Sequence, residues 1–352
     1  MADCRAVKDG TDRVVVTHWV HPEVTAYLAG FCDPVAPSED EGIWPREKVA
    51  DLAAGAAGLI TCMADTVDEE FLAGCPGLRV ISATLKGYDN YDAGACTRHG
   101  VWLTILPEML TVPTAELAIG LMIGVMRHVG AADRQVRAGH AGWRPQFYGL
   151  GLAGSTVGIV GMGRLGQAVA TRLRPFGARV VYHDQRPLPA GTERRLTVAR
   201  LGLDELLAAS DVVLALLPLT AGTRHLLDAR ALAAMRPGAF LVNVGRGSVV
   251  DEQAVAGALV GGRLGGYAAD VFAMEDYALP GHPASVPDGL LKHPRTLFTP
   301  HLGSAVDAVR REMSLEAARQ VRQVLEGNRP DHAVNEPQGP STGWPPAAQP
   351  MG

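Results

Sequence analysis

Cysteine is scarce and poorly spaced for crosslinking. The five thiols, Cys4, Cys32, Cys62, Cys75 and Cys96, are odd in number and show no C-x-x-C spacing. That argues against a disulfide framework or a zinc site. It leaves a reducing compartment, the cytoplasm, as the expectation. The first residues lack the charged-then-apolar layout of a signal peptide. No apolar run approaches the roughly eighteen residues that a membrane span needs. Positive charge is not in excess either: 32 Lys and Arg face 37 Asp and Glu, a formal net charge of −5. No global field therefore recruits nucleic acid or an anionic membrane, and any anionic ligand must be attracted locally. No metal-ligand cluster and no internal repeat are visible.

What is present is a soluble, globular composition. The chain has 352 residues, 47% hydrophobic and 20% charged, enough for two domains. Thr156 to Gly166, TVGIVGMGRLG, organises the rest. A short apolar strand runs into Gly161-Met162-Gly163-Arg164-Leu165-Gly166, and a helical pattern follows. Strand, tight turn and helix form the context that a G-x-G-x-x-G needs in order to bind a dinucleotide. Gly161 permits the turn, Gly163 lets the backbone approach a pyrophosphate, and Gly166 lets the helix pack on the strand. The phosphates are expected at the helix N-terminus. A second strand, Arg179 to His183, ends at Asp184, placed to accept from the adenosine ribose hydroxyls. That carboxylate favours NAD over NADP, although Arg186 nearby softens the preference. The cofactor-binding set is Gly161, Gly163, Arg164, Leu165, Gly166, Asp184, Pro218 and Asp270.

Around this turn the chain alternates strand and helix, the pattern of an α/β protein. Before residue 110, strands are expected near 14–17, 59–63, 80–83 and 101–105, with a loop around Pro34 and Pro37. Residues 113–129 read as one long apolar helix, buried between domains or against another subunit. Residues 139–154 read as a Gly-rich loop whose aromatic residues could cover a site. Strands are then expected at 157–160, 179–183, 212–217, 239–243, 266–270 and 296–299. A last helix, 305–326, is expected to cross back to the first domain. The division is thus 1–110 for the first part of a substrate domain and 111–304 for the cofactor domain. Residues 305–335 return to the substrate domain, and 336–352 form a flexible tail.

Three polar residues follow the ends of proposed strands, where open α/β sheets bind ligands: Arg246, Glu275 and His301. A histidine with a carboxylate and an arginine is a minimal set for proton transfer beside an anion. Taken singly, each has an ordinary reading: a surface arginine, an acid in a polar loop, a histidine entering a helix.

In combination, five segments change that balance: TVPTAELAIGL at 111–121, VGIVGMGRLG at 157–166, LVNVGRGSVVDEQAV at 241–255, GGYAADVFAMED at 265–276 and TPHLGSA at 299–305. The chain resembles the D-2-hydroxyacid dehydrogenase family over nearly its whole length. The resemblance implies a Rossmann domain inserted into a discontinuous flavodoxin-like substrate domain, NAD as cofactor and a homodimer. It also implies that Arg246, His301 and Glu275 are catalytic.

A narrower resemblance, to the phosphite (phosphonate) dehydrogenase branch, rests on further segments, among them VVVTHWVH at 14–21 and CMADTVDEEFLAGCPGLRV at 62–80 and three others. Those three are LKGYDN at 85–90, GWRPQFYG at 142–149 and SAVDAVRRE at 304–312. In the first, Leu85 stands where ordinary members carry glycine, and Lys86 precedes Gly87. The likeness implies that Lys86 binds substrate and that Met63, Trp143, Tyr148, Ser304 and Arg310 lie at or near the active site. A solvated loop lysine is the ordinary reading of Lys86, since most lysines are exposed. A phosphite dianion, however, is better held by two cations, Lys86 and Arg246, with backbone N–H groups near Lys86 and Gly87. The expected reaction is attack of water on phosphorus, with His301 as base, Glu275 holding its ring and hydride passing to NAD+. The alternatives are a small 2-hydroxy acid dehydrogenase, such as a glyoxylate or hydroxypyruvate reductase, and a non-catalytic NAD-sensing corepressor.

Overall fold

In the computed structural model the described residues are 11–140, 142–143 and 145–337. Cys4, the first ten residues and all but the start of the expected tail fall outside them. The chain divides into two compact units. One comprises the residues up to Leu110 together with those from Val306 onward, and the other is Thr111–Ala305.

The first unit is built on five parallel strands: β1 (Arg13–Val16), β2 (Asp33–Val35), β3 (Gly58–Thr61), β4 (Val80–Ala83) and β5 (Trp102–Thr104). Their order is β2-β1-β3-β4-β5, so the chain reverses direction across the sheet between β1 and β3. The β-branched run Val14–Val16 is fully buried, as a central strand covered on both faces should be. The sequence reading places a loop where β2 forms. Pro34 cannot donate to a ladder, and β2 tolerates it because it is the edge strand.

One face of this sheet carries Val14, Val16, Ile60, Val80 and Trp102, which pack against Ala317, Ala318, Val321 and Val324 of the helix Asp307–Leu325. Gln320 of that helix is fully buried. Its side-chain oxygen accepts from Ser82 at 2.9 Å and from Thr104 at 2.5 Å. A buried amide held by two strands fixes the helix's register on the sheet.

The second unit has seven parallel strands. They are β6 (Thr156–Val160), β7 (Arg179–His183), β8 (Val198–Arg200), β9 (Val212–Ala215), β10 (Ala239–Asn243), β11 (Leu264–Ala269) and β12 (Thr296–Phe298). The order is β12-β11-β10-β9-β6-β7-β8, a doubly wound sheet whose direction of travel switches between β6 and β9. The sequence reading omits β8 and the helix Ala190–Leu196 before it. Both are short, and β8 is an edge strand with exposed Ala199 and Arg200.

The long apolar helix differs from its expected course. It runs from Thr111 to Met126, breaks at His128 in a left-handed conformation (φ 55°), and a second helix, Val129–Arg137, leaves at 65°. Its apolar residues, including Ala115, Ala118, Met122 and Met126, are buried with those of β6, β9 and β10 in one core of the same unit. Its lack of a polar face is therefore explained without a second subunit. Among the described residues no single helix is long and apolar enough to cross a membrane. Cys32, Cys62, Cys75 and Cys96 are all buried and unpaired, and burial pushes the thiols of Cys32, Cys62 and Cys96 up to about 12.

Candidate active site

The glycine turn has the backbone its motif requires. Gly161 sits at φ +103°, a conformation closed to most L side chains. A Cβ on Gly166 would lie 2.4 Å from the Gly161 carbonyl oxygen, so the helix Arg164–Leu173 approaches β6 only because that residue is glycine. At Gly163, the N-cap, a Cβ would meet nothing within 4 Å, and no side chain caps the helix. Open space beside uncapped helix N–H groups fits a pyrophosphate. Arg164 is exposed, whereas Leu165 packs against the core.

Asp184, just after β7, accepts from the Met162 N–H at 2.8 Å and from the Arg186 N–H at 3.0 Å. One carboxylate thus ties the glycine turn to the end of β7. Sequence reasoning missed Arg200 of β8, whose guanidinium donates to the Asp184 carbonyl at 2.9 Å. Asp184→Ala is expected to narrow the preference for NAD over NADP by about tenfold in kcat/KM. NAD use should also fall, because the turn loses an anchor. Specificity constants for both cofactors check this, and a wild type that prefers NADP removes the assigned role. Pro218, after β9, is exposed, and its carbonyl accepts from Thr223 at 2.7 Å.

At the other strand ends, three loops carry Arg246, Glu275 and His301. His301 Nδ1 lies 2.6 Å from Glu275 Oε2, with both side chains about one-fifth exposed. That contact engages Nδ1 and leaves Nε2 as the ring's other titrating nitrogen. His301 itself is left-handed (φ 56°), and the residues around it are pinned by Asp270. The Asp270 carboxylate accepts from Thr299 Oγ1 (2.6 Å), Leu302 N (2.6 Å) and Gly303 N (2.8 Å). Burial outweighs these donors and holds its pKa above the ordinary carboxylate value. Within this unit Asp270, proposed from sequence for the cofactor, thus braces the histidine loop.

Arg246 follows β10. Its carbonyl accepts from Asn243 Nδ2 at 2.9 Å, and Asn243 Oδ1 accepts from the Gly245 N–H at 3.1 Å. The Arg246 and Glu275 loops are also strapped to each other. Ser248 N–H donates to Asp276 Oδ2 at 2.7 Å, and Ala273 N–H donates to Glu252 Oε1 at 2.9 Å. Asn243, Glu252 and Asp276 were not singled out from sequence. Their signal was present only as polar residues inside two of the matching segments. Ser304 is buried beyond the histidine loop. Trp143 and Tyr148 form a tilted ring pair 5.6 Å apart and are largely exposed.

The remaining proposed substrate residues belong to the first unit. Met63 follows β3, and its carbonyl accepts from Asn90 at 3.3 Å. Lys86 and Gly87 follow β4, with Lys86 exposed. Leu85 is buried in the core of this unit, and its backbone bonds to Ala83 and Leu106. Leu85 thereby anchors the loop that carries Lys86. Arg310 lies on the helix Asp307–Leu325 and acts electrostatically on His18 and Cys62, which follow the adjacent strands β1 and β3. His18, which the sequence reading passed over, is buried with neither ring nitrogen hydrogen-bonded among the described residues. Burial and Arg310 lower its pKa to about 3, so the ring is neutral.

Residues 119–303 match the NAD-binding domain of the D-isomer specific 2-hydroxyacid dehydrogenases. The chain belongs to this family. A glyoxylate reductase of Pyrococcus furiosus is 35% identical over 304 residues, covering 85% of this chain and 88% of that protein. The crystal structure of TT0316 protein from Thermus thermophilus is 35% identical, with a TM-score of 0.80 over 92% of this chain and 99% of the other. A glyoxylate reductase from Paecilomyes thermophila is 29% identical, with a TM-score of 0.78 over 92% and 98%. As an NAD-dependent oxidoreductase of this family, the chain carries its glycine turn and its strand-end Arg, Glu and His on the doubly wound sheet just described.

Proposed function

We propose that this dehydrogenase oxidises phosphite to phosphate. The observation that carries the reading is Lys86, exposed on a loop that Leu85 anchors in the core of the first unit. A carboxylate substrate carries one charge and needs one cation. A phosphite dianion carries more charge than a carboxylate, and a lysine on a substrate loop answers that extra charge. Phosphite, water and NAD+ give phosphate, NADH and a proton, and bound NAD+ supplies the hydride acceptor. His301 Nε2 takes the proton of the attacking water, while Glu275 on Nδ1 orients the ring and stabilises the imidazolium. Arg246 positions the anion and offsets charge that builds at phosphorus.

A second reading, reduction of a small 2-oxo acid, is favoured by the names of the relatives, several of which are glyoxylate reductases. The same His301–Glu275 pair would then deliver a proton to the carbonyl oxygen. One assay separates the two: NADH absorbance with phosphite, glycerate, lactate and glyoxylate, each in its productive direction. Phosphite is expected to give the highest kcat/KM. Far better turnover of glycerate or glyoxylate overturns the phosphite reading, and no turnover at all points to an NAD sensor. The family resemblance also makes a homodimer part of the proposal, and sedimentation at working concentration decides that point.

A further inference from the structure

Beneath the Arg246 and Glu275 loops lies a buried polar group that the mechanism above does not use. Glu252 opens the helix Glu252–Val260 and is only 5% exposed. It accepts from the N–H of Ala273, the first residue of the turn Ala273–Glu275 that carries the histidine's partner. Tyr267 of β11 is fully buried, and its hydroxyl has no hydrogen-bond partner among the described residues. Glu252 acts electrostatically on that hydroxyl, and the Asn243 side chain also influences it. Asn243 in turn holds the Arg246 carbonyl and the Gly245 N–H. Glu252 thus bonds to the carboxylate turn and Asn243 to the arginine loop, with the buried Tyr267 ring acted on by both.

We propose that Glu252 is a positioning residue of the catalytic centre, holding the Glu275 turn in register with the Arg246 loop, from which its own helix leads, through the hydrogen bond from the Ala273 N–H. The inference rests on the assignment of Arg246, Glu275 and His301 as the catalytic set. It is independent of which anion is the substrate.

The protonation state follows from the surroundings. Glu252 faces Glu275 and Asp276 from the turn, Asp251 from its own N-cap and Tyr267 from β11. At the two helices packed on its own, Arg230, Asp288 and Lys292 are exposed and the N-cap Asp228 is half-buried. Burial, joined by Asp276, Glu275 and Asp251, raises its pKa to about 7 against the single donor at Ala273. A charge on Glu252 would add a negative group close to Glu275 and Asp276. A neutral carboxyl keeps the Ala273 bond and adds an O–H, for which the Tyr267 oxygen is the nearby buried acceptor.

Glu252→Gln preserves the shape and the acceptor of the neutral carboxyl and cannot ionise, whereas Glu252→Ala removes both. We expect Glu252→Gln to keep kcat within about twofold of wild type at pH 6, and Glu252→Ala to lower it about 10- to 100-fold. Above pH 7, wild-type kcat should decline as Glu252 ionises, and Glu252→Gln should abolish that decline. KM for NAD should not move in either variant. A kcat that is unchanged in Glu252→Ala, or an alkaline decline that is unchanged in Glu252→Gln, overturns the proposal. Should Glu252→Ala fail to fold, the pH profile of Glu252→Gln decides alone. The assay uses whichever of phosphite or glyoxylate the wild type turns over. His301→Ala, measured alongside, reports separately on the catalytic set: if it stays active, that assignment fails rather than the role of Glu252.

Discussion

His301→Ala is expected to lower kcat by about 10²- to 10⁴-fold, the range that a positioned general base supplies. The loss should fall on turnover and leave KM for NAD unchanged, since the glycine turn and Asp184 are untouched. TPHLGSA holds no second histidine that could take over. Glu275→Gln should cost less. An amide still meets Nδ1 at the 2.6 Å contact but cannot stabilise the imidazolium. Steady-state kinetics with NADH absorbance checks both. A kcat within tenfold of wild type in His301→Ala removes the base from the mechanism.

Lys86→Ala has the next largest expected effect. Removing a charge-assisted contact to a dianion should cost on the order of 1.5–3 kcal/mol, roughly 10- to 100-fold in kcat/KM for phosphite. Most of it should appear as a raised phosphite KM, with NAD binding little changed. A monoanionic carboxylate should suffer less, so the ratio of losses on phosphite and glyoxylate measures the second charge. Intact phosphite kinetics in Lys86→Ala would refute the phosphite assignment. The dehydrogenase assignment would survive, because it rests on the glycine turn and on the family match over residues 119–303.

The features legible in the sequence are those set by local chemistry. The glycine turn is one, because Gly161 and Gly166 answer to backbone geometry that their own neighbours impose. The central strands are another, since a run such as Val14–Val16 or Val212–Ala215 has no alternative to burial on both faces. Edge strands were less legible. β2 contains a proline and β8 ends in arginine, so neither carries the apolar signal of a central strand. The break at His128 was hidden because a left-handed histidine leaves no mark on hydrophobic periodicity.

The candidate site divides the same way. His301 and Glu275 are 26 positions apart and come within 2.6 Å because adjacent parallel strands end side by side. Strand-end placement anticipated that. The straps through Asp270, Asp276 and Glu252 were not anticipated, because a side chain that serves a distant N–H leaves no spacing rule behind it. Leu85 is similar: its value as an anchor appears only when the core around it is visible.

The helix Asp307–Leu325 also has a meaning in time. A ribosome delivers β1 to β5 first, and the face that carries Val14, Ile60, Val80 and Trp102 must wait for Ala317, Ala318 and Val321. All of Thr111–Ala305 is synthesised in between. The inserted unit can fold as it emerges, because its strands and core come from one continuous stretch, while the first sheet stays half-covered until Asp307–Leu325 has been made. Nascent chains of this protein therefore carry an uncovered apolar face while Thr111–Ala305 is made, and a chain cut short before Asp307 would keep it.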